Sequence, residues 1–391
     1  MASSSFYGYL GLFVGSGFSK AATLNRAPTF KDLLTRLANE FGLNNDFSRQ
    51  PYEHQSFPQI ASTLLRQLST THPFDAELIF RQRIADLCNF IPDPSIQASL
   101  STALEGIAPS WVITTNYDLI LEALLERGQT LRPDQVLVAR PDRVPIYHMH
   151  GHRHTPLSIR ISEEDYVALL TPFDYQRLKL PLLLLESSTL MLGYSAGDIN
   201  VRSAIEWSRS FTNTKHFLQN IVVQALWVPG PPNPLPYLGR HGEHIIEIND
   251  ILPFLQELCV VRANTQRQIA DTENSIHGFL SNQTVASTVF TDANMRSYFL
   301  GIIQYAIGAV STILIAFIDG ALDPVWTLAT QPQNFGYYDT YLTILLNILS
   351  NMTISSNPRL LWHLAACLDK VGPYIDPAKT PGQRMPPRKR G

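Results

Sequence analysis

One segment of this sequence combines a buried strand with side chains that could bind or activate a small molecule. Residues 111–118 read Trp-Val-Ile-Thr-Thr-Asn-Tyr-Asp and are followed by apolar residues at helical spacing. This pattern predicts a parallel strand that ends in polar residues, at the edge where open α/β sheets bind ligands. Asn116 and Asp118 carry hydrogen-bonding side chains there, and Thr115 adds a hydroxyl group. A purely structural interpretation stays open, in which Asp118 caps the helix and Asn116 forms a local turn.

Glycine-containing turns follow two other predicted strands. Residues 9–14 are apolar and lead into Gly15-Ser16-Gly17-Phe18-Ser19, and residues 189–192 lead into Gly193-Tyr194-Ser195, with Asp198 close behind. A glycine turn before a helix lets backbone N–H groups and the helix N-terminus approach a pyrophosphate. A Gly-Ser-Gly turn alone is weak evidence, because most such loops are only turns. Its position after the first strand of an α/β pattern favours a nucleotide site.

Four histidines stand at alternate positions: His148, His150, His152 and His154. In a strand they would project from one face, so a metal site has to be considered. We expect no metal, because no cluster of carboxylates accompanies them. We instead select His150 as a general base, since imidazole titrates near neutral pH and Gly151 lets the chain turn there. His148 is predicted to pack within the strand, and His152 and His154 to lie in a loop.

The composition indicates a globular protein with a large core. Of the 391 residues, 45% are hydrophobic and 16% charged, and the net charge of −3 gives no support for nucleic-acid binding through bulk charge.

The three cysteines are Cys88, Cys259 and Cys367, which form no CxxC pair and exclude a disulfide framework or a four-cysteine zinc site. A cytoplasmic location fits best. Residues 6–14 are apolar but have no basic residue before them, so they predict a first strand rather than a secretory signal.

Alternating strands and helices predict an α/β fold with a Rossmann-like parallel sheet over residues 1–262. A helical insertion is expected at about residues 42–104. A smaller all-α domain for oligomerisation or partner binding is expected over residues 263–375, and residues 376–391 predict a disordered basic tail.

The C-terminal region contains an apolar segment, residues 298–318, that is nearly long enough to span a bilayer. Polar residues interrupt it and no basic cluster flanks it, so a buried helix is the better interpretation. Its small residues allow close helix packing, which favours a subunit interface. We expect no membrane association.

In their order and spacing, these motifs resemble the sirtuin-like (silent-information-regulator type) domains of bacterial anti-phage defence proteins, over residues 6–260. The Thr-Thr-Asn-Tyr-Asp segment with the later His150-Gly151 pair is the most specific part. The resemblance implies NAD as substrate, bound at the carboxyl ends of the strands. It would place the phosphates at the glycine turn, the nicotinamide ribose at the polar strand end and at the histidine, and the adenosine half at the last turn. The residues implied at the phosphates are Gly15, Ser16, Gly17 and Ser19. Those implied at the nicotinamide ribose are Thr115, Asn116, Asp118 and His150. Those implied at the adenosine half are Gly193, Ser195 and Asp198.

The sequence also departs from the deacylating sirtuins, because three cysteines cannot build their four-cysteine zinc module. Water is then the simpler acceptor, and the implied reaction is NAD hydrolysis to ADP-ribose and nicotinamide, with Asn116 and His150 as catalytic residues. The resemblance further implies an effector that depletes NAD during phage infection, a homo-oligomer, and a HerA-type DNA-translocating ATPase as partner. Two alternatives stay open: an NAD-dependent protein deacylase, and a non-catalytic nucleotide sensor.

Overall fold

An eight-stranded sheet forms the centre of the computed structural model, which describes residues 1–6, 8–168, 175–194, 199–212 and 221–280, and the single residues 288, 292, 294 and 295. The chain divides into two compact units, Met1–Thr265 and Gln266–Gly391. Several predicted features lie outside the described residues: Ser195, Asp198, the segment 298–318, the tail 376–391 and, beyond residue 280, all but four residues of the predicted helical domain 263–375. Among the described residues, no helix has the length and hydropathy needed to cross a bilayer.

The sheet is parallel except at one edge. Its strands are β1 (Leu10–Val14), β2 (Trp111–Thr114), β3 (Gly128–Leu131), β4 (Val144–His148), β5 (Ser188–Leu192), β6 (Val222–Trp227), β7 (Tyr237–Leu238) and β8 (His244–Ile248). They are ordered β3-β4-β2-β1-β5-β6-β8-β7, and only β7 runs antiparallel, against β8. Every residue of β1, β2 and β5 is buried, as in parallel strands covered on both faces. The predicted α/β class with a Rossmann-like parallel sheet is confirmed.

Helices cover the two faces of the sheet or extend from it. Their bounds are α1 (Ala2–Phe6), α2 (Ser16–Ala22), α3 (Phe30–Glu40), α4 (Phe57–Thr71), α5 (Ala76–Leu87), α6 (Pro94–Ile107), α7 (Ile120–Leu124), α8 (Glu163–Ala168), α9 (Tyr175–Glu186), α10 (Ile199–Thr212) and α11 (Ile251–Leu280). Alternation along β1 sends Leu12 into the core beneath α2, α6, α7 and α11, and Phe13 into the core beneath α9 and α10. Burial on both faces therefore holds the central strand in place.

Helices α3, α4 and α5 have an apolar core of their own. Leu34, Leu64 and Phe80 are fully buried in it, together with Ile161 from the segment before α8. Helix α3 begins with a capping box between Thr29 and Asp32. Helix α6 overlaps the predicted helical insertion at 42–104. It does not belong to the α3–α5 core, because it buries its apolar face against the sheet.

The predicted first strand over residues 6–14 is wrong in its first half. Residues 2–6 form helix α1, and the strand begins only at Leu10. Gly8 separates the two elements with a φ of +75°, a conformation that glycine adopts without steric cost. The edge strands β3 and β7 are four and two residues long, which is too short to give a period-2 signal.

A buried ion pair joins the α3–α5 cluster to α8. The Arg81 guanidinium is 3.0 Å from Asp165 Oδ1 and 2.9 Å from Glu77 Oε1. Asp165 Oδ2 also accepts hydrogen bonds from the backbone N–H groups of Ile161 and Ser162. Burial raises the pKa of Asp165, but the hydrogen bonds and charge of Arg81 outweigh this effect and hold it below its ordinary value. The pair therefore fixes the start of α8.

Removal of the buried cation should destabilise the fold. We expect Arg81→Leu to lower the free energy of unfolding by about 3 kcal/mol, because it leaves the Asp165 carboxylate buried without its charged partner. Chemical denaturation of the full chain measures this change. Arg83→Leu is the matched control, since Arg83 pairs with Glu40 at the surface of the same helix and should contribute less than about 1 kcal/mol. Equal losses in the two variants would contradict the assignment.

Candidate functional site

Strands β4, β2, β1 and β5 lie side by side, and their carboxyl ends form one edge of the sheet. Val14 at the end of β1 pairs with Thr114 of β2 and with Leu192 of β5, and Thr114 pairs with His148 of β4. The chain segments that follow these strands must therefore emerge next to one another. Strand β1 is also where the strand order changes direction, with β2 on one side and β5 on the other. Ligands bind at such switch points in open α/β sheets.

The glycine turns after β1 and β5 pack directly on each other. Gly15 N–H donates to the Leu192 carbonyl at 2.9 Å, and Gly17 N–H donates to the Gly193 carbonyl at 2.8 Å. Gly193 has a φ of +59°, and a Cβ atom there would lie 2.0 Å from the Phe18 nitrogen. The glycines are thus required for close contact between backbones. The two N–H groups that we expected at the phosphates already have partners within the protein.

The Asn116 side chain is held by the segment that follows β1. Its Nδ2 donates to Ser19 Oγ at 2.8 Å, and the backbone N–H of Asn116 donates to Thr114 Oγ1 at 3.0 Å. Ser19 is 2% exposed and Asn116 is 8% exposed. The Ser19 hydroxyl also hydrogen-bonds the Asp118 carboxylate, which accepts a further bond from Ile120 N–H. Ser19, which we expected at the phosphates, is therefore enclosed in a network that orients Asn116.

The remaining predicted residues of these turns are Thr115, Ser16 and Asp118. Thr115 donates its backbone N–H to the Val14 carbonyl at 3.3 Å. Ser16 is the first residue of α2 and is partly buried. Asp118 Oδ1 accepts its bond from Ile120 N–H in the turn before α7, where the N-cap position itself is Leu119. Burial raises the pKa of Asp118, while the hydrogen bond from Ser19 opposes that rise.

The four alternating histidines do not line one face of a strand, which confirms the prediction that His152 and His154 lie in a loop. Strand β4 ends at His148, and the chain then turns through Gly151, which has a φ of +80°. His150 and His152 lie in the loop after the strand, where the His150 carbonyl accepts a bond from Arg160 N–H. His148 packs within the strand, as predicted, and is 1% exposed. The described part of the chain contains no group of three metal-ligating side chains.

His148 joins Asn116 to a buried carboxylate. Its Nδ1 is 3.0 Å from the Asn116 carbonyl oxygen, and its Nε2 is 2.8 Å from Glu122 Oε1. Thr130 Oγ1 donates to the same carboxylate oxygen at 3.0 Å. Burial lowers the pKa of His148, but its hydrogen bond to Glu122 and the charge of that carboxylate outweigh burial and raise it above the ordinary value. Burial raises the pKa of Glu122, yet His148 brings it below its ordinary value. Both shifts favour an ion pair.

His150 lies against an aromatic side chain that the sequence did not suggest. The Tyr166 hydroxyl is 3.3 Å from His150 Nδ1, and the two ring centroids are 4.9 Å apart. His150 is 2% exposed. Tyr166 belongs to α8, next to the Asp165 carboxylate that fixes the start of that helix. The α3–α5 cluster therefore contributes indirectly to the position of the histidine.

Glu122 and Tyr166 are the two residues that sequence reasoning missed at this edge. Glu122 is the lone charged residue in the apolar stretch 119–125. A carboxylate on the buried side of a short helix requires a partner, so this isolated charge was a usable signal. Tyr166 gave no comparable signal, because it stands 16 residues beyond His150 and reaches it only through the tertiary fold.

The comparisons with known proteins agree with this architecture. The family of SIR2-like domains matches residues 110–232, a segment that runs from β2 through β6 and includes Asn116, His150 and Gly193. No curated protein matches the sequence. A SIR2-like domain is therefore found at residues 110–232, which supports a sirtuin-like fold and an activity related to NAD.

Proposed function

We propose that this protein is an NAD glycohydrolase, which cleaves NAD to ADP-ribose and nicotinamide. One observation supports this proposal more than any other. The shared register of β4, β2 and β1 brings Asn116 and His150 to the same edge of a sheet, within the segment that matches SIR2-like domains. An amide and an imidazole are suitable groups for a reaction that needs orientation of a sugar and of a water molecule.

The reaction breaks the bond between ribose C1′ and the nicotinamide nitrogen. The electron pair of that bond leaves with the nitrogen, which neutralises the positively charged ring and gives the ribose oxocarbenium character. Water then forms the new bond to C1′ and loses a proton. The site must stabilise the developing charge and accept that proton, so it needs a prearranged set of polar groups more than a strong nucleophile.

Asn116 is proposed to orient the ribose or the attacking water. Within the described part of the chain, its hydrogen bonds are made by the backbone N–H, the backbone carbonyl and the side-chain Nδ2. The side-chain oxygen is left to accept a bond from a ligand hydroxyl or from water. The Ser19 contact fixes the plane of the amide, so this oxygen has a defined direction before a ligand arrives.

His150 is proposed to accept the proton from water or from a ribose hydroxyl. A neutral imidazole has one nitrogen that can take a proton, and Tyr166 is within hydrogen-bond distance of Nδ1. This contact holds the ring in one orientation. Burial of the ring in a region of low dielectric strengthens its interaction with any charge that develops nearby.

We further propose that hydrolysis serves an anti-phage defence through loss of NAD, and that the protein acts as a homo-oligomer with a HerA-type ATPase as partner. These proposals rest on the resemblance of the sequence motifs to bacterial defence proteins. Incubation of the purified protein with NAD, alone and with the product of its neighbouring gene, tests the dependence on a partner. NAD levels in phage-infected cells test the role in defence.

Substitution of either proposed catalytic residue should abolish hydrolysis. We expect Asn116→Ala and His150→Ala each to lower kcat by at least about 100-fold, because each removes a group that acts in the transition state. Release of nicotinamide measures the rate, and circular dichroism checks the fold. His154→Ala is the matched control, since His154 is exposed and should be tolerated. Full activity of Asn116→Ala, or loss only in His154→Ala, would refute the assignment.

Metal chelation should leave the rate unchanged. The proposed steps use an amide, an imidazole and water, none of which requires a metal. The measurement is nicotinamide release before and after treatment with EDTA, followed by dialysis. A loss of activity that Zn²⁺ or Mg²⁺ restores would show that a metal takes part, and the four histidines would then have to be reconsidered.

Product analysis separates hydrolysis from the two alternatives. We expect free ADP-ribose and nicotinamide in equal amounts with no acylated substrate present. O-acyl-ADP-ribose formed from an acyl-lysine peptide would instead identify a deacylase. Binding of NAD by calorimetry without turnover, even with the partner present, would identify a nucleotide sensor.

A further inference from the structure

We propose that His148 is a positioning residue, a buried imidazolium that holds the backbone of Asn116 in its reactive position and thereby limits activity at alkaline pH. This inference rests on the proposed function, because it concerns the orientation of the proposed catalytic amide. It depends on the contacts of His148 with Asn116 and Glu122. His148 itself is not proposed to contact NAD.

The charge of His148 follows from the chemistry of its two partners. A backbone carbonyl and a carboxylate both accept hydrogen bonds and neither can donate one. His148 Nδ1 lies 3.0 Å from the first and Nε2 lies 2.8 Å from the second, so both ring nitrogens have to carry a proton. Only the imidazolium form has two N–H groups. A neutral ring would place a lone pair against one of the two oxygens.

The surroundings of the ring favour this charge. Glu122 on α7 and Asp118 in the segment between β2 and α7 are acidic groups that act on His148. Among the described residues the ring of His152 also lies against His148, with the two ring centroids 5.2 Å apart. Burial, and then the charge of His148, lower the pKa of His152 to about 4, so His152 is neutral at physiological pH. The His148 imidazolium therefore has no cationic competitor for Glu122 among these neighbours.

Loss of the His148 proton should release Asn116. The pKa of His148 is raised above its ordinary value, so the charged form is present below that pKa and disappears as the pH rises through it. The proton shared with the Glu122 carboxylate is held more strongly than the proton shared with a neutral carbonyl. Deprotonation therefore leaves Nδ1 with a lone pair that faces the Asn116 carbonyl. The repulsion displaces the residue that carries the proposed catalytic amide.

Two variants of His148 separate positioning from mere packing. In His148→Asn, the amide nitrogen can occupy the place of Nδ1 and donate to the Asn116 carbonyl. In His148→Gln, the amide nitrogen can occupy the place of Nε2 and donate only to Glu122. Each variant loses one hydrogen bond, but only the second loses the contact with Asn116. We expect kcat of His148→Gln to be about tenfold below that of His148→Asn. Equal kcat values, or the reverse order, would overturn the proposal.

A change of the carboxylate tests the alkaline limit. In Glu122→Gln the amide can turn and donate to Nε2, so a neutral His148 keeps its Nδ1 proton and its bond to the Asn116 carbonyl. We expect kcat of the wild type to fall on the alkaline side, and this fall to be absent in Glu122→Gln. His154→Ala, the control, should retain the wild-type profile. The same alkaline fall in Glu122→Gln as in the wild type would overturn the role of the ion pair.

A spectroscopic measurement keeps this inference separate from the proposed function. Long-range ¹H–¹⁵N spectra of histidine-labelled protein report the protonation of each ring, and the signals of His148 are assigned by their loss in His148→Asn. We expect a doubly protonated ring at neutral pH in the wild type and a singly protonated ring in Glu122→Gln. A wild-type protein without NAD hydrolysis but with this signature would refute the function only. A neutral His148 in the wild type would refute the ion pair whatever the activity.

Discussion

Hydrogen-bond register between four parallel strands sets the level at which the segments that carry Asn116 and His150 leave the sheet. Val14, Thr114, His148 and Leu192 are paired residue by residue, so the segments after them begin at one level. Side chains alternate between the two faces of a strand, and a shift of one residue would move Leu12 and Phe13 to the wrong cores. Two separate apolar layers thus fix the register. The positions of Asn116 and His150 therefore depend on the packing of core residues such as Leu12 and Phe13.

Burial is the second constraint, because polar groups at this edge are largely withdrawn from water. Such groups are tolerated only when they have partners. Asp118, Ser19 and Asn116 hydrogen-bond one another on one side, and His148 pairs with Glu122 Oε1 on the other, although Glu122 Oε2 is buried with no partner in the described part of the chain. The hydrogen-bond partners of Asn116 are themselves held by other hydrogen bonds, so Asn116 has little freedom to move. A site built in this way orients a ligand by its own rigidity rather than by adjustment on binding.

The sequence was sufficient for the parallel central strands of the sheet and for the edge at which the candidate residues Asn116 and His150 lie. An apolar run that ends in Thr-Thr-Asn-Tyr-Asp predicted the buried strand β2 and the position of Asn116 at its carboxyl end. The histidines were also placed correctly, with His148 in the strand and His152 and His154 in a loop, because the chain leaves β4 after His148 and turns through Gly151. The partner of Gly17 N–H could not be foreseen, since it is the backbone carbonyl of Gly193. Tyr166 likewise reaches His150 only through the placement of α8.

The central position of β1 has a consequence for modularity. The segment that matches SIR2-like domains begins at residue 110, whereas β1 and Ser19 precede it. Within the described sheet, strands β2 and β5 are joined only through β1, which pairs with both. An excised fragment of residues 110–232 would therefore hold two half-sheets with no common strand, and its asparagine would lack the hydroxyl that aligns it. The segment that the family matches is therefore smaller than the smallest part of this protein that could fold by itself.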